Sequence, residues 1–389
     1  MKNEWQAEQL GEICPIASRK PQVFAGERRY FATGSVGPEG QLTESQLVTF
    51  ATRPGRAGSM PEVGDVAFAR MKGTKKVILV DDSVAGSLFS TGFCFLVPPP
   101  TIFPRFLFYF IVSDNFQNQK EEAAGEGIMG GITNADVSRI EFPYPPLSEQ
   151  QRIVATLDGA FDGIATAKAN AEKNLQNARA LFESHLQSVF TQHGEGWVEK
   201  KVGEISKHSL GKMLDKAKNR GEPKPYLRNV NVRWFTFDLS DLLEMRFQPE
   251  ETDKYTAIKG DVLICEGGYP GRAAIWDEDY PIYFQKAIHR VRFHEPEHNK
   301  WFVYFLYAQD KSGDLRQYFT GTGIQHFTGE ALSRFTLPIA PLRELRRFVA
   351  RFDNLSAETQ RLESIYQQKL GKLEELKKSL LQQAFSGEL

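Results

Sequence analysis

Between residues 148 and 190, small or apolar side chains recur seven apart at Leu157, Ile164, Ala171, Ala178 and, in the same column, His185. A second column follows three residues on, at Ala160, Ala167, Asn174, Leu181 and Ser188. This spacing predicts a helix of about 40 residues that lays a seam against another helix. The same columns return 195 positions later as Phe352, Thr359, Tyr366, Leu373 and Leu380, with Leu355, Leu362, Lys369, Leu376 and Gln383. The first seam is rich in alanine and the second in large side chains, so the two helices are expected to pack on each other, small against large. Pro145-Pro146, then Ser148 with Gln151 at capping-box spacing, marks the start of the first helix.

Ahead of each helical run the period changes. GDVAFAR, KKVILVDD and GFCFLV in the first half, and GDVLICEGG, GRAAIW and IHRVRF in the second, are β-branched or aromatic runs bounded by Gly, Pro and Asp, which predict strands. RFLFYFIVSDNFQ and NKWFVYFLYAQD each read as one buried helix. The fold class is therefore mixed α/β of the α+β kind, two globular domains joined by two long helices.

The two halves are one unit written twice. Offset by 195, residues 132–190 align with 327–385 without a gap and match at about seventeen of 59 positions, where chance gives about three or four. Matches include Ser138/Ser333, Arg139/Arg334, Pro146/Pro341, Asp158/Asp353, Leu181/Leu376 and Phe190/Phe385. Upstream, Trp5-x5-Gly11-Glu12-Ile13 recurs as Trp197-x5-Gly203-Glu204-Ile205, Tyr30 falls opposite Tyr226, and Gly64-Asp65-Val66 opposite Gly260-Asp261-Val262. Two such units imply pseudo-twofold symmetry. The expected domains are 1–146, a helical region at 147–195, a second globular domain at 196–340 and a second helical region at 341–389.

Composition adds limits. At 389 residues the chain exceeds one ordinary core, and no stretch approaches a membrane span. The first residues, MKNEWQAEQLGEI, lack the apolar core of a secretory signal, so a cytoplasmic location is expected. Cys14, Cys94 and Cys265 are odd in number and far apart, the pattern of reduced buried thiols. A net charge of −1 argues against coating nucleic acid by bulk charge. Locally the picture differs. Ten basic against four acidic side chains lie between Glu199 and Arg233, among Tyr226, Asn229, Asn231 and Trp234, and such a segment attracts phosphates and offers groups that read or stack on bases. Arg53, Arg56, Arg70, Lys72, Lys75 and Lys76 against Glu62 and Asp65 make a second basic patch.

Catalytic signatures are not found. There is no phosphate-binding GxxxxGK[ST], no GxGxxG between strand and helix, and no Asp/Asn-Pro-Pro-aromatic tetrapeptide, since YPPL at 144–147 puts tyrosine where an acceptor for the target amine is required. HEPEH at 294–298 fits HExxH in letters, but Pro296 breaks the helix that would bring both histidines to one zinc ion. No catalytic or metal site is assigned, and the chain reads as a non-enzyme.

The duplicated entry into a long helix and the closing LKKSLLQQAFSGEL resemble the specificity subunit of type I restriction-modification systems. PYLRNVNVRW (225–234), GDVLICEGGYPGRAAIW (260–276), QKAIHRVRF (285–293) and GTGIQHFTGEALSRFTLPIAPL (321–342) carry the likeness, which spans nearly the whole chain. The first domain departs further, with RYFATGSV for PYLRNVNV and ARMKGTKK for the glycine-rich CEGGYPGRAA.

The resemblance implies two target recognition domains, each reading half of a split double-stranded DNA site through the major groove, and an antiparallel coiled-coil spacer fixing the unread gap. A helix of about 60 Å covers about 18 base pairs. It also implies two methyltransferase subunits, restriction subunits with motor and nuclease activity, and no cofactor on this chain, since S-adenosylmethionine, ATP and Mg²⁺ belong to the partners. The contact residues expected in the second domain are Lys212, Arg228, Asn229, Asn231, Glu266, Tyr269, Arg272, Lys286, His289, Gln325 and His326. In the first they are Arg53, Arg56, Arg70, Lys72 and Lys75. A specificity subunit of a combined, type IIB-like restriction-methylation enzyme would share this layout, and the rivals from other classes are a coiled-coil scaffold that ignores DNA and a metalloprotease at HEPEH.

Overall fold

The protein is described by a computed structural model covering residues 5–124, 130–215 and 217–389. Its two longest elements are the central helix, Leu147–Thr191, and the C-terminal helix, Leu342–Ser386, each of 45 residues. The chain forms two compact units, Met1–Glu172 with Gln367–Leu389, and Lys173–Tyr366. The boundary runs through both helices instead of at their ends. The reason is packing: each globular part buries the nearer half of each helix in its own core.

In unit 1, Ile153, Val154 and Leu157 from the central helix and Leu381, Ala384 and Phe385 from the C-terminal helix join the core of Phe106, Phe110 and Phe142. Phe385 lies 5.1 Å from Phe106 and 5.6 Å from Phe110, centroid to centroid. In unit 2, Phe182, Leu186 and Phe190 meet Leu345 and Phe352 around Trp301. Both helix pairs are antiparallel, with Lys168 opposite Glu374 in unit 1 and Arg179 opposite Glu363 in unit 2, each at 2.6 Å. These exposed pairs contribute about 0.2–1 kcal/mol apiece, so the apolar seam decides the packing.

Leu157, Ile164, Ala171 and Phe352 are buried, and Ala178, Leu355, Leu362, Tyr366, Leu373 and Leu380 are half-buried. The second column departs from the expected seam: Leu181 and Leu376 are 67% and 47% exposed. An α-helix drifts about 20° per heptad against a strict seven-residue repeat. The inward face therefore moves one residue later, to Phe182 and Lys377. Helix entry also differs, because the central helix begins at Leu147 and Ser148 falls inside its first turn. The anchor is the fully buried Gln150, which accepts from the Phe103 amide and donates to the carbonyls of Thr101 and Pro145.

The globular parts share a topology. Unit 1 has a four-stranded sheet ordered Gln46–Val48, Arg28–Phe31, Leu88–Ser90, Ala57–Ser59 and a three-stranded one ordered Val77–Leu79, Val66–Ala69, Phe93–Leu96. Unit 2 has Leu243–Phe247, Glu222–Leu227, Ile282–Phe284, Thr256–Ala257, and Ser206–Leu210, Ile288–Phe293, Val262–Cys265, Ala273–Ile275. The first sheet of each holds one parallel pairing, Tyr30 beside Leu88 and Tyr226 beside Tyr283. The repeated glycines have a physical cause. A Cβ at Gly11 would sit 2.4 Å from Ser138 Cβ, and one at Gly203 2.2 Å from Ser333 Oγ, so side chains are excluded there.

The run RFLFYFIVSDNFQ is two helices, Pro104–Val112 and Asp114–Ala123, because Ser113 ends the first and caps the second by accepting from the Phe116 amide. Its counterpart His298–Ser312 is continuous. Each is tied to a long helix by the same brace. The Tyr109 hydroxyl donates to Asp158, which Arg105 also reaches at 2.8 Å. The Tyr304 hydroxyl donates to Asp353 at 2.7 Å, and Lys300 reaches it at 2.7 Å. The three cysteines are buried free thiols, and burial pushes Cys94 and Cys265 up to about 11. Among the described residues no helix is long and apolar enough to cross a membrane.

Candidate nucleic-acid interface

In unit 2, strand Val262–Cys265 turns back into Ala273–Ile275 through residues 266–272. Two other loops close on this turn. Asn229 Nδ2 donates to Gly267 O at 3.0 Å, and Arg272 Nη2 donates to Asn229 O at 2.9 Å. Gly268 holds φ +77°, and a Cβ there would lie 2.2 Å from Asn229 Nδ2, so glycine is required twice over. From the other side His326 bridges to Gly267 and places Nδ1 3.1 Å from Glu266 Oε2. Tyr269 stands 44% exposed with the Arg272 guanidinium 4.8 Å from its ring centre, and Gln325 and Lys286 are exposed. Asn229, Glu266, Tyr269, Arg272 and His326 thus form one cluster of donors, an acceptor and an aromatic face, the groups that recognise base edges and phosphates.

Three other candidates turn inward and a fourth, Arg228, is half-buried. Lys212 is buried over Phe247 and gives its ammonium to Glu251 at 2.5 Å and to Arg246 O at 2.9 Å. Asn231 is buried, accepts from the Arg228 amide and donates to the carbonyls of Asp238 and Asp241. Arg228 is committed to Asp241 at 2.6 Å. His289 is 2% exposed and donates from Nε2 to Phe327 O at 2.9 Å. Lys212, Asn231 and His289 are buried and hold the loops in place, while Arg228 keeps a side chain 19% exposed beside Asp241. Their charge and residue type suggested contact, but charge alone does not tell which way a strand turns its side chains.

Burial pushes the His289 imidazole down to about 4, only partly opposed by its bond to the Phe327 carbonyl. The ring is therefore neutral in the folded protein near pH 7. Below its unfolded value of 6.5 the unfolded chain takes up a proton that the fold refuses until about 4. Stability is complete above pH 6.5 and falls as pH drops through that window, by about 2–3 kcal/mol for unit 2. Urea midpoints measured from pH 7 to pH 4 should show this fall, and H289Q should flatten it; an unchanged slope in the variant assigns the effect elsewhere.

In unit 1 the candidates sit on two separate loops. Arg53 stacks its guanidinium 3.7 Å from the Phe50 ring centre, and Arg56 is exposed nearby. Arg70, Lys72 and Lys75 belong to residues 70–76, the turn from Val66–Ala69 to Val77–Leu79. Arg70 donates to Ile132 O at 3.2 Å and to Asn134 Oδ1 at 2.5 Å. Lys75 pairs with Asp114 at 2.8 Å, while Lys72 is exposed.

This turn is the counterpart of 266–272 at its first residue. The Arg70 amide donates to Gly92 O and its carbonyl accepts from Ile132; the Glu266 amide donates to Ala287 O and its carbonyl accepts from Phe327, all between 2.8 and 3.0 Å. Met71 bridges to Gly131 as Gly267 bridges to His326. Sequence reasoning set ARMKGTKK against CEGGYPGRAA, which puts Arg70 opposite Glu266, but it missed the tyrosine-aspartate braces, although Tyr109/Tyr304 and Asp158/Asp353 both lie 195 apart. At HEPEH, His294 lies just past strand Ile288–Phe293 while His298 opens a helix, so the two rings stand on different elements.

The sequence matches the family described as type I restriction modification DNA specificity domain twice, over residues 2–176 and 194–372. Among curated proteins it is 23% identical to the EcoKI specificity subunit of a type I restriction enzyme from Escherichia coli, over 84% of this chain and 75% of that one. It is 22% identical to the StySPI specificity subunit from Salmonella potsdam, over 84% and 74%. Among solved structures, a chain from a study of type I R-M system assembly and conformational transition superposes with a TM-score of 0.86 at 22% identity, covering 100% of this chain and 99% of that chain. The HsdS subunit from Thermoanaerobacter tengcongensis superposes at 0.66 and 23% identity, covering 100% and 98%.

Proposed function

The chain belongs to the type I restriction modification DNA specificity domain family, and from that premise we propose that each unit reads one half of a bipartite DNA site while the long helices set the number of unread base pairs between them. The observation that carries this reading is the double family match laid over two units whose strand orders correspond except for the extra edge strand Ser206–Leu210 in unit 2. In each, the equivalent hairpin turn, 70–76 or 266–272, presents polar and charged side chains. Helices of 45 residues extend about 68 Å, or about 20 base pairs.

The chain supplies sequence specificity, not chemistry, to a restriction-modification complex. Two methyltransferase subunits would dock on the helices, bring S-adenosylmethionine and flip the target adenine into their own pockets. Restriction subunits would bring ATP and Mg²⁺, and the site of action would be the cytoplasm. A pair of docking sites is supported by leucines that recur exposed at the 195-residue offset, Leu147 with Leu342 and Leu181 with Leu376. No internal packing accounts for keeping them.

Two measurements test this reading. Methylation-sensitive sequencing of the host genome, with and without the gene, should reveal one bipartite adenine-methylated motif that vanishes with the gene. Binding of the purified chain to random duplex should weaken about a hundredfold between 50 and 200 mM salt, the slope of about four neutralised phosphates. A chain that serves only as a coiled-coil scaffold gives neither the motif nor the slope.

A further inference from the structure

Resting on that reading, we propose that the backbone position shared by Arg70 and Glu266 is a base-reading position, and that Glu266 reads a cytosine in the half-site of unit 2 while Arg70 reads a guanine in that of unit 1. Both residues open the same hairpin turn, and both are pinned through amide and carbonyl to the neighbouring strand and the returning loop. Position and direction are thus fixed by backbone that does not depend on the side chain. The side chain carried there nonetheless differs between the duplicated units. Here it changes from five donors to pure acceptors.

The change matches the two sides of one base pair. Arginine donates in a fork to guanine O6 and N7, and a carboxylate accepts from cytosine N4. Arg70, whose terminal nitrogens rest on Ile132 O and Asn134 Oδ1 in the free chain, would exchange those bonds for the base. Adenine also offers an exocyclic amine, but its neighbouring N7 is an acceptor that repels a carboxylate. A carboxylate among phosphates is unfavourable unless a base donor offsets it. Glu266 keeps a side chain 19% exposed, and while Oε2 faces His326 Nδ1, no hydrogen bond to Oε1 is present among the described residues. His326 acts as a positioning residue, holding one oxygen and leaving the other without a partner among the described residues.

The test uses the full chain and a duplex carrying the motif defined by host methylation. Cytosines in the half-site of unit 2 are replaced singly by an analogue lacking the exocyclic amine. One such replacement should weaken wild-type binding about tenfold or more, the worth of a good base contact, and should have no effect on E266Q. The same variant keeps an acceptor for His326 and gains a donor, so its preference at that position should move away from cytosine toward a base that offers an acceptor there. In the other half-site, one guanine replaced by 7-deazaguanine should behave in the same way toward R70M. Equal sensitivity of wild type and E266Q at every cytosine, or no sensitive cytosine, overturns the assignment whatever the stability of the variant. Absence of any sequence preference in the wild type overturns the reading beneath it instead.

Discussion

Truncating Phe385 to alanine should destabilise unit 1 by about 3–5 kcal/mol, the cost of deleting a buried aromatic ring that its surroundings cannot refill. The ring is 7% exposed and sits against Phe106 and Phe110. Those side chains in turn touch Phe142 and Phe116, so a cavity here opens the middle of the unit's largest cluster. The loss should be local. Amide exchange in Pro104–Val112 and Asp114–Ala123 should accelerate, while His298–Ser312, whose core cluster draws on Leu345, Phe352 and Leu355 and does not include Phe385, should exchange as in the wild type. Equal acceleration in both would mean that the units unfold together, and unchanged exchange in unit 1 would mean that Phe385 does not hold it closed.

Lengthening both long helices by one heptad should shift the recognised spacing. Seven residues add about 10.5 Å along a helix, close to three base pairs, and they keep the seam to within about 20°, the drift of one heptad. With the insertions placed after Glu172 and after Tyr366, where the compact units divide, binding to the original site should fall about a thousandfold, to the non-specific level. A site with three further base pairs between its halves should restore it. If the lengthened chain still prefers the original spacing, the helices do not set the distance.

Much of this organisation was legible in the sequence, for identifiable reasons. Heptad spacing and the 195-residue offset are one-dimensional regularities, and they led to the long helices and the duplicated units. The strands at Val66–Ala69 and Val262–Cys265 were marked by Gly-Asp turns ahead of β-branched runs. Even the pairing of ARMKGTKK with CEGGYPGRAA was visible. The direction of individual side chains was not. Lys212 and Lys286 lie in the same basic second unit, yet one is buried against Glu251 and the other is exposed. Only long-range pairing separates them, Lys212 lying beside Gln285 across a parallel bridge. The exposure of Leu181 had a different cause, since a strict heptad count ignores the slow rotation of a real helix.

The interleaving of the compact units bears on how the chain is made. The first segment of unit 1 leaves the ribosome ahead of unit 2, but its core stays open until Leu381, Ala384 and Phe385 have been synthesised. At about 5–20 residues per second, more than two hundred further residues take roughly 10–40 s. Unit 2, continuous in sequence from Lys173 to Tyr366, can close first. The nascent amino-terminal half must therefore wait with apolar surface uncovered, making it the stretch most in need of a chaperone during translation.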